Sequence, residues 1–257
     1  MKKIFAIVLA IIFVLSGCSS GEKVGMDYDF RPVVEKCAEM FVENNPSPEC
    51  SPVGGEWAIF NVKLSGIEAP ESWYEEYYQN LCDYITERDG ILSKTKHTDY
   101  SRVMLALSAM GKNVYNVAGY DLLEHYTNID VITKQGLPGA IYVLIALDSM
   151  DYEIYESANF TRKDLVDYIL EKECPNGGWT IVGNSADIDI TAEVIQSLAP
   201  YMEDEEIKNA VERALNLLSE LQNDDGGFSA WGGENSQSVA EVLIALTSAG
   251  IDPRTDE

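Results

Sequence analysis

The chain has 257 residues, of which 46% are hydrophobic, and carries 43 acidic against 18 basic side chains for a net charge of −25. Such acidity excludes nucleic acid as a partner, because nucleic-acid binders need a basic face to displace counterions, and it opposes adhesion of the folded surface to anionic lipid. The length suits one large domain or two small ones.

At the N-terminus, Lys2 and Lys3 precede an apolar run from Ile4 to Leu15. That run is too short to span a bilayer and has the shape of an export signal. It ends in Leu15-Ser16-Gly17-Cys18, followed by Ser19-Ser20-Gly21, which resembles a bacterial lipobox. The resemblance implies cleavage before Cys18, lipidation of its sulfur and export. The alternative is an ordinary signal peptide with an incidental cysteine. The expected layout is a leader over 1–17, a tether over 18–27 and a folded domain over 28–257, held on the outer side of the bacterial cytoplasmic membrane. Two acyl attachments would anchor stably, at about 0.8 kcal/mol per buried methylene. Cys37, Cys50, Cys82 and Cys174 form no CxxC pair and no zinc-like group. Export permits disulfides, but the spacing assigns none, and the four read as free or loosely paired structural cysteines.

From Phe30 the chain alternates two kinds of helical segment. Phe30–Asn44 is amphipathic, with Pro32 suited to a first helical turn. Trp57–Gly66 follows, apolar nearly all round. Ser72–Ile85 is amphipathic and opens on a capping-box pattern, Ser72 with Glu75. Arg102–Gly111 and Tyr142–Asp151 are apolar on most sides, as expected of helices buried over most of their surface. Thr161–Lys172 is amphipathic behind a second capping box, Thr161 with Asp164. Glu193–Tyr201 is of the buried type. Ile207–Leu221 sets Val211, Ala214, Leu215, Leu218 and Leu221 on one stripe, and Glu241–Gly250 is again of the buried type. Leu107, Leu147, Leu198 and Leu246 align at steps of 40, 51 and 48 residues, with Val62 another 45 upstream. The chain therefore reads as a repeat of five helix pairs.

Val53–Trp57, Asn176–Thr180 and Asp225–Trp231 each place a glycine pair before a nearby aromatic. Glycine pairs permit positive φ and close backbone approach. Buried helices with amphipathic partners at this spacing predict an all-α chain arranged as an α/α toroid of about five pairs, an inner ring within an outer one. Armadillo- and HEAT-type solenoids share the repeat length but do not need one helix of each pair buried all round. The glycine–glycine–aromatic turns, and the whole segment from Phe160 to Pro253, resemble the terpenoid cyclase/prenyltransferase-like repeat of exported bacterial proteins. The resemblance is strongest over the last two repeats and weakest before Glu71. The wider group includes squalene–hopene cyclases, protein prenyltransferase β subunits, complement thioester domains, and transcobalamin with intrinsic factor. It implies six pairs, so this chain is expected to be an incomplete barrel lacking a sixth pair or a downstream domain.

Each chemistry of that group can be sought in the residues. Prenyltransferases hold zinc with an aspartate, a cysteine two residues on and a distant histidine; no Asp-x-Cys run exists here, and His97 and His125 are the only histidines. The Gly-Cys-Gly-Glu-Gln run of thioester domains is absent. A serine triad would need one histidine as base, but His97 sits in a polar run that reads as a turn, and the one Gly-x-Ser-x-Gly run, Gly17-Cys18-Ser19-Ser20-Gly21, falls at the end of the leader and not at a strand-to-helix elbow. Class II cyclases carry Asp-x-Asp-Asp-Thr-Ala at the start of an inner helix. The run Asp187-Ile188-Asp189-Ile190-Thr191-Ala192 retains that pattern except for Ile190. The resemblance makes Asp189 the one candidate catalytic acid. A carboxylate at a helix N-terminus is held ionised by the dipole and the backbone N–H groups, which opposes alkene protonation. Helix capping also accounts for the pair, since the repeat puts Asn235 and Gln237 at the positions of Asp187 and Asp189. Neither Asn223–Gly227 nor the Asp187–Asp189 run has the ligand spacing of an EF-hand, so no metal and no cofactor is expected.

In a toroid the inner helices all begin at one end. That gathers Trp179, Asp187, Asp189, Glu193, Trp231, Asn235 and Gln237, with Phe228 and Glu241, around one mouth, where they are the expected ligand-binding residues. The aromatics among them suit helix packing equally well. The function expected is a lipid-anchored, non-catalytic surface protein that captures a corrinoid, a glycan or a protein partner. The alternative is an enzyme on an isoprenoid or a polysaccharide.

Overall fold

The computed structural model describes residues 29–51, 55–230 and 232–253. The leader, the tether with Cys18, and Trp231 lie outside the described residues. Among the described residues the chain is all-α, apart from one hairpin pairing Ser229–Ala230 with Gly233–Glu234. They divide into two compact units, the first formed by residues 29–132 and 146–159, the second by 133–145 and 160–253.

The first unit opens with α1 (Arg31–Asn44), which has Pro32 in its first turn as expected. Then come α2 (Glu56–Ser65), α3 (Glu71–Thr86) and α4 (His97–Met110), where α1 packs on α2 and α2 lies along α4. α3 does not use the expected capping box. Pro70 occupies the N-cap position and Ser72 lies inside the first turn, because the fixed proline φ starts the helix one residue earlier. His97 is the first residue of α4 and is buried, not part of an exposed turn as its polar neighbours suggested. Its Nε2 lies 3.2 Å from the His125 carbonyl, and the Ser101 hydroxyl meets the Tyr126 hydroxyl at 2.8 Å.

Between α4 and the next long helix the repeat predicts an amphipathic helix, and none forms. The segment holds 3₁₀ turns at Leu122–His125 and Thr133–Gln135 and the single turn α5 (Ile129–Ile132). The cause is local. Asn113, Asn116, Asp121 and Asn128 each accept a bond from a backbone N–H two or three residues on, at 2.9–3.0 Å. Such side-chain turns compete directly with helical hydrogen bonds.

α6 (Leu137–Ser149) passes from the second unit into the first and is buried on nearly every side. α7 (Arg162–Leu170) begins at the expected capping box, with Thr161 and Asp164 each bonding the other's backbone. α8 (Ile188–Leu198) lies along α10 (Ser236–Ser248), and α9 (Glu205–Leu221) packs against α8. The buried stripe of α9 is Ile207, Ala210, Val211, Ala214, Leu217 and Leu218, whereas Leu221 at the helix end is exposed. α10 also departs from expectation: Val242 and Ala245 are buried, but Leu243 and Ile244 are exposed, so this helix is covered on one side only. All four cysteines among the described residues are free.

One polar group sits deep in the first unit. Glu56, fully buried at the start of α2, accepts from Arg102 Nε at 3.0 Å and from the Tyr77 hydroxyl at 3.3 Å. Arg102 also pairs with Asp99 at 3.1 Å. Burial, then the Glu56 carboxylate, push the Tyr77 hydroxyl and the Cys50 thiol up, so both remain protonated donors. A buried ion is tolerated only while its partner is present. Replacing Arg102→Met should therefore lower unfolding free energy by about 3–5 kcal/mol. Adding Glu56→Gln should recover much of that loss, and urea unfolding of the single and double variants measures the coupling.

Candidate functional site

The turn ahead of α8 is fastened before any ligand enters the question. Trp179 is fully buried and its indole N–H donates to the Ile169 carbonyl at 2.7 Å, so this tryptophan packs the turn against α7. Its backbone N–H donates to Thr191 Oγ1 at 2.9 Å, and Thr191 returns a bond to the Trp179 carbonyl at 3.2 Å. The same carbonyl accepts from Asp187 N at 2.8 Å, and Cys174 N donates to the Gly178 carbonyl at 2.8 Å. Gly178 has φ +70°, and a Cβ there would come within 2.7 Å of Thr191 Oγ1 and 2.8 Å of Leu217 Cδ2. Only glycine combines that backbone with that clearance.

The fifth repeat copies the plan. Asn223 N donates to the Gly227 carbonyl at 2.9 Å and Asn235 N to the Phe228 carbonyl at 2.9 Å. Asn235 then caps α10 through Gln237 N and Ser238 N. Asn223 and Asp225 are spent on the turn itself, Asp225 accepting from Gly227 N at 2.9 Å. Phe228 is buried, while Gln237 is exposed.

Within the run from Asp187 to Ala192 the roles now separate. Asp187 is the N-cap of α8, its Oδ1 accepting from Ile190 N at 3.0 Å. Thr191 clamps the turn and Ala192 is packed in the core. Asp189 does none of this: its Oδ1 is shut off from solvent and has no hydrogen-bond partner. One helical turn on, Glu193 accepts from the Tyr142 hydroxyl at 2.8 Å. Across on α10, Glu241 accepts from Gln196 Nε2 at 3.0 Å.

The three carboxyls Asp189, Glu193 and Glu241 feel one another. Burial first, then the charges of Glu241, Asp189 and Asp187, outweigh the Tyr142 bond and push Glu193 up to about 7. Burial, with Asp189, also raises Glu241. At neutral pH this cluster therefore holds a carboxyl poised between its two protonation states, beside an oxygen with nothing to accept from. Among the described residues no three His, Cys, Asp or Glu side chains are set to hold a metal ion. Two shallow grooves lie elsewhere in the second unit, one of about 360 Å³ past Tyr168, Cys174 and Ile181, the other of about 300 Å³ between α7 and α9. Neither is lined by the carboxyls.

Asp187, Asp189 and Glu193 thus meet at the start of α8, with Glu241 beside them. Trp179 is buried away as a packing residue, and Asn235 and Gln237 belong to the cap of α10. Tyr142 and Gln196 were not foreseen. A signal for Tyr142 existed in the repeat register, since Arg102, Tyr142, Glu193 and Glu241 all stand five residues before the shared leucine. Compared with protein-family models, curated proteins and solved structures, the chain matches none.

Two tests follow from this geometry. Gly178→Ala should destabilise by about 3 kcal/mol, from positive φ plus overlap with the Thr191, Leu217 and Ala186 side chains, read as a fall in melting temperature. For Glu193, a folded-state value near 7 against 4.5 means that the folded state holds the extra proton. Its contribution to stability is therefore lost as pH rises through that window. Glu193→Gln should be more stable than wild type at about pH 8, by about 1–3 kcal/mol, with the gap closing towards about pH 5.

Proposed function

We propose that the chain is the exported, lipid-anchored body of a non-catalytic protein that captures a ligand outside the cytoplasm, through the carboxyl cluster at the start of α8. The alternation of amphipathic and buried helices, and the repeated fastening of Trp179 and Phe228, support the reading as an α/α toroid of the terpenoid cyclase/prenyltransferase-like kind. The export leader and the run ending at Cys18 support anchoring on the outer face of the membrane.

The observation that carries the proposal is the buried Asp189 oxygen without a donor. Leaving such an oxygen unmade costs about 1–3 kcal/mol, more for a charged group, so a ligand that supplies the donor gains that amount. A cluster of three carboxyls, one titrating near neutrality, suits a group rich in N–H or O–H donors: an ammonium, the amide arms of a corrinoid, the hydroxyls of a glycan, or a basic side chain of a protein partner.

The competing reading is an isoprenoid cyclase working through Asp189, and the proton held on Glu193 is the one feature in its favour. A carboxyl that titrates near 7 is a weak acid, however, and alkene protonation demands a strong one. The residues that make the run look cyclase-like, Asp187 and Thr191, are engaged in capping and clamping.

A thermal-shift screen against a corrinoid, oligosaccharides, isoprenoids, a polyamine and calcium separates these readings. A ligand of the proposed class should raise the wild-type melting temperature. The shift should persist in Asp187→Asn, which keeps the cap, and vanish in Asp189→Asn. A shift from a donor-rich ligand that survives Asp189→Asn would remove the carboxyl cluster from the account. Turnover of an isoprenoid that is lost with Asp189 would favour the enzyme.

A further inference from the structure

α1 carries more apolar surface than its neighbours cover. Ala38 is its one buried residue, with Val34 and Val42 half-buried on the same side. At 100° per residue, Val33, Cys37, Met40 and Phe41 fall on an adjoining arc of about 100°. That arc faces solvent: Val33 is 47%, Met40 50% and Phe41 43% exposed, and Cys37 is exposed too. Glu35, Glu39, Glu43 and Lys36 lie on the remaining side, leaving the apolar arc without a formal charge. A contiguous stripe of this kind marks a surface that meets another apolar phase.

The chain outside the structure indicates which phase. Phe30 stands only twelve positions after Cys18, and twelve residue steps span at most about 40 Å even when fully extended. If Cys18 carries lipid, α1 cannot leave the neighbourhood of the bilayer surface, and tethering raises its local concentration there enough for a weak contact to persist. We propose that the Val33–Cys37–Met40–Phe41 stripe of α1 docks into the interfacial layer of the membrane, with its helix lying in the plane of the surface. The contact uses burial of apolar side chains at headgroup depth, the manner of interfacial amphipathic helices. Because the arc is uncharged and the chain strongly acidic, the lipid it fits is a zwitterionic one rather than an anionic one.

This inference rests on the anchoring part of the proposed function, and one experiment keeps the two apart. The full chain is expressed in a bacterial host with its own leader, purified, labelled at exposed Cys37 with a nitroxide, and mixed with phosphatidylcholine vesicles; mass spectrometry reads acylation at Cys18. Docking predicts that vesicles shield the Cys37 label from a water-soluble relaxant and open it to oxygen. Met40→Glu/Phe41→Glu, checked for unchanged helicity, should reduce that shielding by roughly tenfold. A label that stays in water on vesicles bearing acylated protein overturns the docking face. Shielding already present without vesicles overturns it as well, since a second copy would then cover the stripe. A chain with no acyl mass that still shields Cys37 on vesicles keeps the docking face and removes the anchor. If neither acylation nor shielding is seen, both fall.

Discussion

The second unit depends on how a buried helix can begin. The first backbone N–H groups of α8 have no helical partners, and Gly177, Gly178 and Trp179 of the preceding turn are buried against that start, so their polar groups must be satisfied locally. The solution uses a side chain from within the helix. Thr191 reaches back to hold both the N–H and the carbonyl of Trp179, that carbonyl also takes the N–H of Asp187, and Asp187 then caps the helix. The indole above locks onto α7. Each bond fixes the residue that makes the next one, so the tryptophan, the turn and the helix start are one structural element. The same logic without the threonine recurs before α10, where Val239 stands at the corresponding position and the turn leans on Asn223 and Asn235 instead.

A second pattern runs across the buried helices. Five residues before the shared leucine, the last four of them present a polar side chain in an otherwise apolar setting. In the first unit that residue is Arg102, and its buried neighbour Glu56 balances it. In the second unit it is Tyr142, then Glu193, then Glu241, where Glu193 accepts from Tyr142 and Glu241 from Gln196, both neutral donors. Equivalent positions thus yield a closed ion pair in one unit and a cluster of partly buried carboxyls in the other. An ion pair that satisfies itself has nothing to offer a ligand, whereas carboxyls that raise one another's affinity for protons do. For this reason the candidate site belongs to the second unit.

Much of this was legible from the residues. The order of amphipathic and buried segments, the glycine turns, the capping box at Thr161 and the cap at Asp187 all follow from short-range rules, and α2, α4, α6, α7, α8 and α9 appear where those rules put them. The failures have a common origin in what short-range rules omit. The missing helix after α4 was hidden because four Asx side chains outcompeted a weak helical pattern. Trp179 looked like a ligand face because sequence does not reveal which side of a turn is buried. Nothing near Glu56 in the sequence marks it as buried, since its partner is 46 residues away. Asp189 could not be told from Asp187 until the acceptor of the Ile190 N–H was known. Exposure of α1 and of Leu243 and Ile244 on α10 is likewise a matter of what packs against a helix, and an apolar stripe reads the same whether covered or bare.

The division of roles within six residues also bears on how such a chain changes over time. Asp187, Thr191 and Ala192 maintain the helix start, and replacing them with residues of another kind disturbs the fold. Asp189 and Glu193 lie between and beyond them on the same helix and carry no comparable structural duty. Mutational drift is therefore channelled: positions 189 and 193 are free to sample new chemistry while their neighbours hold the scaffold. Related chains that keep the cap and clamp but differ at those two positions would share an architecture and recognise unlike molecules.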